Sequence, residues 1–125
     1  MISHDDNRWN RFLDLAGHTL DATNLNAVQY TAWQCMHYLH CFCMGGHGEY
    51  LETVPHRTED VAAALKVVGG QHFAENFLRA VREGRTDGFA TADATLDSFI
   101  PSLEDCLKAY VELHQKEIFN GCWEG

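Results

Sequence analysis

ATNLNAVQYTAWQCMHYLHCFCMGGHG, residues Ala22 to Gly48, contains no Asp, Glu, Lys or Arg. Tyr30, Trp33, Met36, Tyr38, Leu39 and Phe42 crowd it, and acids return only at Glu49 and Glu52. Such a stretch reads as one long helix through the middle of a domain, with Gly45-Gly46 stopping the helix and turning the chain. A membrane span needs about 20 mostly apolar residues, and Asn26, Gln29, Gln34, His37 and His40 interrupt this one. The segment is therefore expected to be the buried central helix, running from about Leu25 to Met44 with Asn24 as its cap. On a helical wheel Val28, Cys35, Leu39 and Phe42 share the inner side. Asn26, Gln29, His37 and His40 form a narrow polar strip, with Trp33 among them.

The rest of the chain reads as helices around it. Ser3 with Asp6 makes a capping box for a helix over about 5–19, with Trp9, Phe12, Leu13 and Ala16 as its apolar stripe. A short helical turn is expected from His47 to Glu52. Thr58 is placed to cap a helix whose first turn carries Glu59 and Asp60, whose inner face is Val61, Ala64, Leu65 and Val68, and which Gly69-Gly70 ends. Gln71 to Glu83 is amphipathic, with Phe73, Phe77, Ala80 and Val81 inward, and Gly84 to Ala90 reads as a polar loop. A short helix from about Thr91 to Phe99 carries Leu96 and Phe99. Ser102 with Asp105 opens a last helix to about Phe119, whose inner arc is Leu103, Cys106, Leu107, Tyr110, Leu113, His114 and Ile118. Pro55 and Pro101 punctuate the helices. No segment alternates in the manner of a strand. The predicted architecture is all-α: one compact domain, residues 1–125, of six or seven helices around the central one.

A chain of 125 residues with 46% hydrophobic content buries a core without staples. Its net charge of −9 opposes binding to nucleic acid or to anionic membranes and favours a basic partner. The first residues show no basic region followed by an apolar run, so no export signal is expected. The five cysteines, Cys35, Cys41, Cys43, Cys106 and Cys122, are then expected to be free thiols in the cytoplasm.

The order of these signals resembles a family of small all-helical bacterial proteins known as DNA-mimic-protein-like, most of them of unknown function. The resemblance spans roughly Leu25 to Phe119. Met44-Gly45-Gly46 stands where the family has Asn-Gly-Gly, and Glu49-Tyr50-Leu51 where it has Gln-aromatic-aromatic. Ala64-Leu65-Lys66-Val67-Val68-Gly69 matches an Ala-Leu-x-x-x-Gly helix ending, and an amphipathic helix follows over Phe73 to Val81. Leu96-Asp97-Ser98-Phe99 approaches a Leu-Asp-x-x-Phe element with one residue fewer, and Tyr110, His114 and Phe119 match Tyr-x-x-x-His-x-x-x-x-Phe. The best-known relative binds a transcription factor as a mimic of DNA. The resemblance thus implies an all-helical fold and a protein partner that binds DNA.

No catalytic signature is found. Gly45-Gly46 and Gly69-Gly70 lack phosphate-loop spacing and a preceding strand. His37 and Cys41 share a helix face with His40 near, and His47 follows in the turn. A zinc site needs three or four converging ligands, while Cys41 and Cys43 point to opposite sides of a helix. No cofactor and no metal are expected in the leading reading. A small metal-binding protein or metalloenzyme using His37, His40, Cys41 and His47 is the alternative.

The acids are unevenly spread. From Asp87 onward there are eight acids against two bases, whereas Arg57 to Thr86 holds four against five. Asp93 and Asp97 lie four apart on one helix, and Glu104, Asp105 and Glu112 share the polar arc of the last. Charges about 6 Å apart on a helix approach the phosphate spacing of DNA. The competing reading is a solvated face, partly neutralised by Glu104–Lys108 and Glu112–Lys116 pairs. The candidate partner-binding residues are therefore Asp93, Asp97, Glu104, Asp105 and Glu112. The expected function is a non-enzymatic, cytoplasmic protein that binds a basic protein: a DNA-binding protein met by mimicry of DNA, or a toxin met by an immunity or antitoxin-type inhibitor.

Overall fold

The structure, a computed structural model, describes residues 5–53 and 57–124. The described residues form seven α-helices and no strand. In chain order these are α1 (Asp6–Gly17), α2 (Ala27–Thr53), α3 (Thr58–Val68), α4 (Gln71–Glu83), α5 (Ala90–Ser98), α6 (Leu103–Leu113) and α7 (Gln115–Ile118). Three single turns of 3₁₀ helix punctuate them at Ala22–Asn24, Gly84–Asp87 and Gly121–Trp123. None of the described helices is long and apolar enough to cross a membrane. Ser3 and Pro55, read above as a cap and as punctuation, lie outside the described residues; Asp5 caps α1, accepting from the Arg8 N–H at 3.0 Å.

The charge-free stretch is the spine, and α1, α3, α5, α6 and α7 all pack on it. It starts later than expected. Asn24 belongs to the preceding 3₁₀ turn, and the cap is Asn26. The Gln29 N–H donates to Asn26 Oδ1 at 2.8 Å, and the Asn26 N–H donates to Gln29 Oε1 at 2.9 Å, the reciprocal pairing of a capping box. The glycines interrupt the helix as expected, and the chain bends there, with both residues outside helical geometry. Gly46 takes φ 74°, and helical geometry resumes beyond it, as the short turn from His47 had implied.

The wheel was rotated relative to the true burial. Cys35, Tyr38 and Ala32 are fully buried, as expected for a spine, but Val28, Leu39 and Phe42 are only half-buried. Gln29, assigned to the polar strip, is 1% exposed. Its Nε2–H₂ group donates to the carbonyls of Ile118 (2.9 Å) and Asn120 (2.7 Å), and Asn26 Nδ2 donates to Glu117 O at 2.9 Å. The polar start of α2 is thus a clamp on the C-terminal segment. That segment returns Trp123 to the core, edge-on to Phe12, with its indole N–H donating to Thr19 Oγ1 at 2.9 Å.

Three further expectations change. Gly84 to Ala90 is no polar loop: its 3₁₀ turn tucks Phe89 against Ala80 and Ala92, and Phe89 adopts a left-handed φ of 67°. Thr58 lies inside α3, and the capping residue Arg57 makes no side-chain cap bond. The last helix breaks at His114 (φ −112°, ψ 26°), and Ile118 on α7 is buried. Leu113, assigned to the inner arc, is 76% exposed because the buried stripe of α6 runs along Leu103, Leu107 and Val111, and Leu113 lies on the far side of the helix from Val111. A buried Asn76 on α4 was also missed; it donates to Ala92 O at 3.0 Å and docks α5.

Gln29→Leu should destabilise the protein by about 1–3 kcal/mol although leucine is more apolar, because it strands two carbonyls. Urea unfolding followed by circular dichroism measures this. A loss below about 0.5 kcal/mol would show that the amide does not hold the C-terminal segment.

Candidate functional site

The five candidate acids divide into two kinds. Asp93 and Glu112 are committed inside the fold. Asp93 Oδ1 accepts from the His47 backbone N–H at 3.0 Å and from His47 Nδ1–H at 2.7 Å. With the proton on Nδ1, His47 Nε2 is the acceptor for the Tyr38 hydroxyl. Asp93 thereby caps the second half of α2 just past the kink, and a chain of three side chains ties α5 to both halves of the spine. Gly46 makes room for it, since a Cβ there would come within 2.5 Å of Asp93 Oδ2. Glu112, expected to pair with Lys116, turns instead to α1: it pairs with the Arg8 guanidinium and accepts from the Asp5 N–H at 3.3 Å. The Arg8 hydrogen bond holds the Glu112 carboxyl below its ordinary pKa.

Asp97, Glu104 and Asp105 are exposed and lie together where α5 gives way to α6. Ser102 caps α6, its Oγ accepting from the Asp105 N–H at 3.2 Å as the capping-box reading required. Glu104 and Asp105 fall in the first turn, where the positive end of the helix dipole favours acids. Glu104 lies 3.9 Å from Lys108 Nζ, as expected. Two grooves flank this corner. One, of about 230 Å³, is lined by Leu39, Phe42, Cys43 and Leu96 and carries Asp97 and Glu104 on its walls. The other, of about 530 Å³, lies between α3 and α6, is lined by Val67, Val68, Tyr110 and Leu113, and carries Asp105. The half-buried state of Leu39 and Phe42 is explained here: they line the smaller groove. The grooves escape sequence reading because each is built from helices distant in the chain.

The histidines and cysteines of α2 are dispersed. Both ring nitrogens of His47 are used within the Asp93–His47–Tyr38 chain. His37 packs its ring on Trp33 at 4.5 Å, and His40 is exposed. Among the described residues no three His, Cys, Asp or Glu side chains are grouped to hold a metal ion. Burial pushes the Cys35, Cys41 and Cys106 thiols up, away from the thiolate that nucleophilic chemistry needs. All five cysteines are free.

Compared with known proteins, the chain matches no family model, no curated protein and no solved structure.

Burial holds the His47 pKa below the ordinary imidazole value, against the pull of Asp93 in the other direction. A histidine depressed in the fold stabilises it fully above the unfolded pKa of about 6.5, and that contribution is lost as pH falls through this value toward the folded one. Replacing His47 by Gln keeps a donor and an acceptor but removes the titration. The wild type should therefore lose more stability than His47→Gln between pH 7 and 5 in parallel urea titrations. Parallel pH profiles would show that His47 titrates alike folded and unfolded.

Proposed function

We propose that this protein is a non-enzymatic binding protein that presents its α5–α6 corner to a basic partner protein. The observation that carries the reading is the placement of Asp97, Glu104 and Asp105, all exposed, on the walls of two apolar grooves. Specific interfaces combine a desolvated apolar centre with a polar rim, and the corner offers both within one turn of α6. The net charge of −9, concentrated after Asp87, would steer a cationic partner onto this end and turn away nucleic acid. The free cysteines fit a reducing compartment, so we place the protein in the cytoplasm.

The resemblance to the DNA-mimic family suggests a DNA-binding protein as the partner, met through acids standing in for phosphates. An immunity or antitoxin-type inhibitor of a basic toxin would use the same corner by the same physics. Of the five candidate acids, Asp97, Glu104 and Asp105 are assigned to the partner. Asp93 and Glu112 support them from within, one by holding α5 on the spine and the other by holding α6 on α1.

The test separates these roles. Proteins captured by the wild type should be released by salt and, under mimicry, by duplex DNA. The triple variant Asp97→Asn, Glu104→Gln, Asp105→Asn should lose capture while its stability changes by no more than about 0.5 kcal/mol per site. Equal capture by the triple variant would leave the corner a merely solvated face and defeat the proposal.

A further inference from the structure

We propose that the α3–α6 groove seats a two-turn amphipathic helix of the partner, apolar toward Val67, Tyr110 and Leu113 and basic at the end that meets Asp105. This rests on the protein-binding reading and extends it by naming the shape and chemistry of the bound segment. Exposed apolar residues scattered singly are ordinary. Here Val67, 62% exposed on α3, and Leu113, 76% exposed on α6, line one depression of about 530 Å³ with the half-buried Tyr110 and Val68 between them. Leu113 is left outward because the buried stripe of α6 runs along Leu103, Leu107 and Val111, and Leu113 lies on the far side of the helix from Val111.

The dimensions and the backbone both select a helix. Asp105 and Leu113 sit at opposite ends of the groove wall on α6, and at about 1.5 Å per residue that wall is roughly 12 Å long, two helical turns. An extended peptide docks by adding its backbone bonds to a sheet edge, and the described residues contain no strand. A helix satisfies its own backbone and needs only apolar anchors at i, i+4 and i+7.

Charge selects the partner. Asp105 is exposed at one end of the groove, while the one lysine on its wall, Lys108, is turned to Glu104 (3.9 Å) and to the Trp9 ring (5.6 Å from its centroid). A second copy of this chain would bring another charge of −9 to the acidic corner, so the occupant is a cationic helix. Basic residues in its last turn would complement both its own dipole and Asp105.

The probe is a lactam-bridged, fluorescein-labelled 14-residue helix with leucines at i, i+4 and i+7 and lysines in its last turn, followed by fluorescence anisotropy. A second bridged peptide carries the same residues in scrambled order. The wild type should bind the ordered peptide at least about tenfold tighter, as expected where a few central anchors dominate. Leu113→Asp and, independently, Val67→Asp should abolish that preference while circular dichroism and thermal melting confirm that the fold is kept. Asp105→Lys should weaken the lysine peptide and strengthen its glutamate counterpart. Equal binding of ordered and scrambled peptides overturns the inference, as does retained preference in either folded apolar variant. Sedimentation covers the remaining occupant: a wild-type dimer that Leu113→Asp makes monomeric would assign the groove to a second copy and overturn the proposal. Capture of a natural partner keeps the two readings apart. Capture that survives Leu113→Asp but fails in Asp97→Asn, Glu104→Gln overturns the groove and leaves the corner. The reverse pattern overturns the corner and leaves the groove.

Discussion

The hydrogen-bonded chain from Asp93 through His47 to Tyr38 is the constraint on which the geometry of this fold rests. The spine carries a glycine kink, and a kink leaves backbone donors at the start of the resumed helix that must find acceptors. Asp93 Oδ1 accepts both the His47 backbone N–H and its ring Nδ1–H. Because Asp93 belongs to α5, satisfying the kink also places α5, and so places Asp97 and the turn into α6. His47 is fully buried and Tyr38 is 1% exposed, so these two are shielded from water and costly to leave unpaired, while Asp93 joins them from the partly exposed end of the chain. Gly46 is required twice over, by its positive φ and by the closeness of the Asp93 carboxylate.

The five candidate acids therefore fall into two groups that look alike in sequence. Asp93 and Glu112 each sit on helix faces that an acidic stripe would share with their neighbours, but each is drawn inward by a donor from a distant element: His47 for one, Arg8 and the Asp5 N–H for the other. Part of the negative charge thus serves internal order, while Asp97, Glu104 and Asp105 stay exposed at the α5–α6 corner beside apolar grooves. Gln29 and Asn76 play a similar part among the neutral residues, each closing a long-range contact by donating to backbone carbonyls.

Much of this was legible in the sequence. The absence of charge from Ala22 to Gly48 marked the spine, since a segment with nothing to offer water must be covered. The boundaries of Gln71–Glu83 and the Ser102–Asp105 cap followed from local chemistry, in which a glycine, a serine and an acid three residues on act within one turn of helix. The all-α class followed from helical spacing repeated in segment after segment. The acidic bias of the C-terminal third was likewise legible.

What only the tertiary structure decided depends on contacts between residues far apart in the chain. A wheel assigns one inner face to a helix, but α2 is covered from several sides, so Gln29 is buried by the returning C-terminal segment while Leu39 and Phe42 border a groove. Gly45-Gly46 could end a helix or bend it, and the acceptor that favours bending is 46 residues away from His47. Leu113 shares a wheel arc with Cys106 and Tyr110, but packing buries Leu103, Leu107 and Val111 instead and leaves Leu113 outside that stripe. Local sequence determines which helices form and where their caps lie, because caps and spacing act over three or four residues. Which acids turn inward and which stay at the surface is settled by donors that only folding brings near.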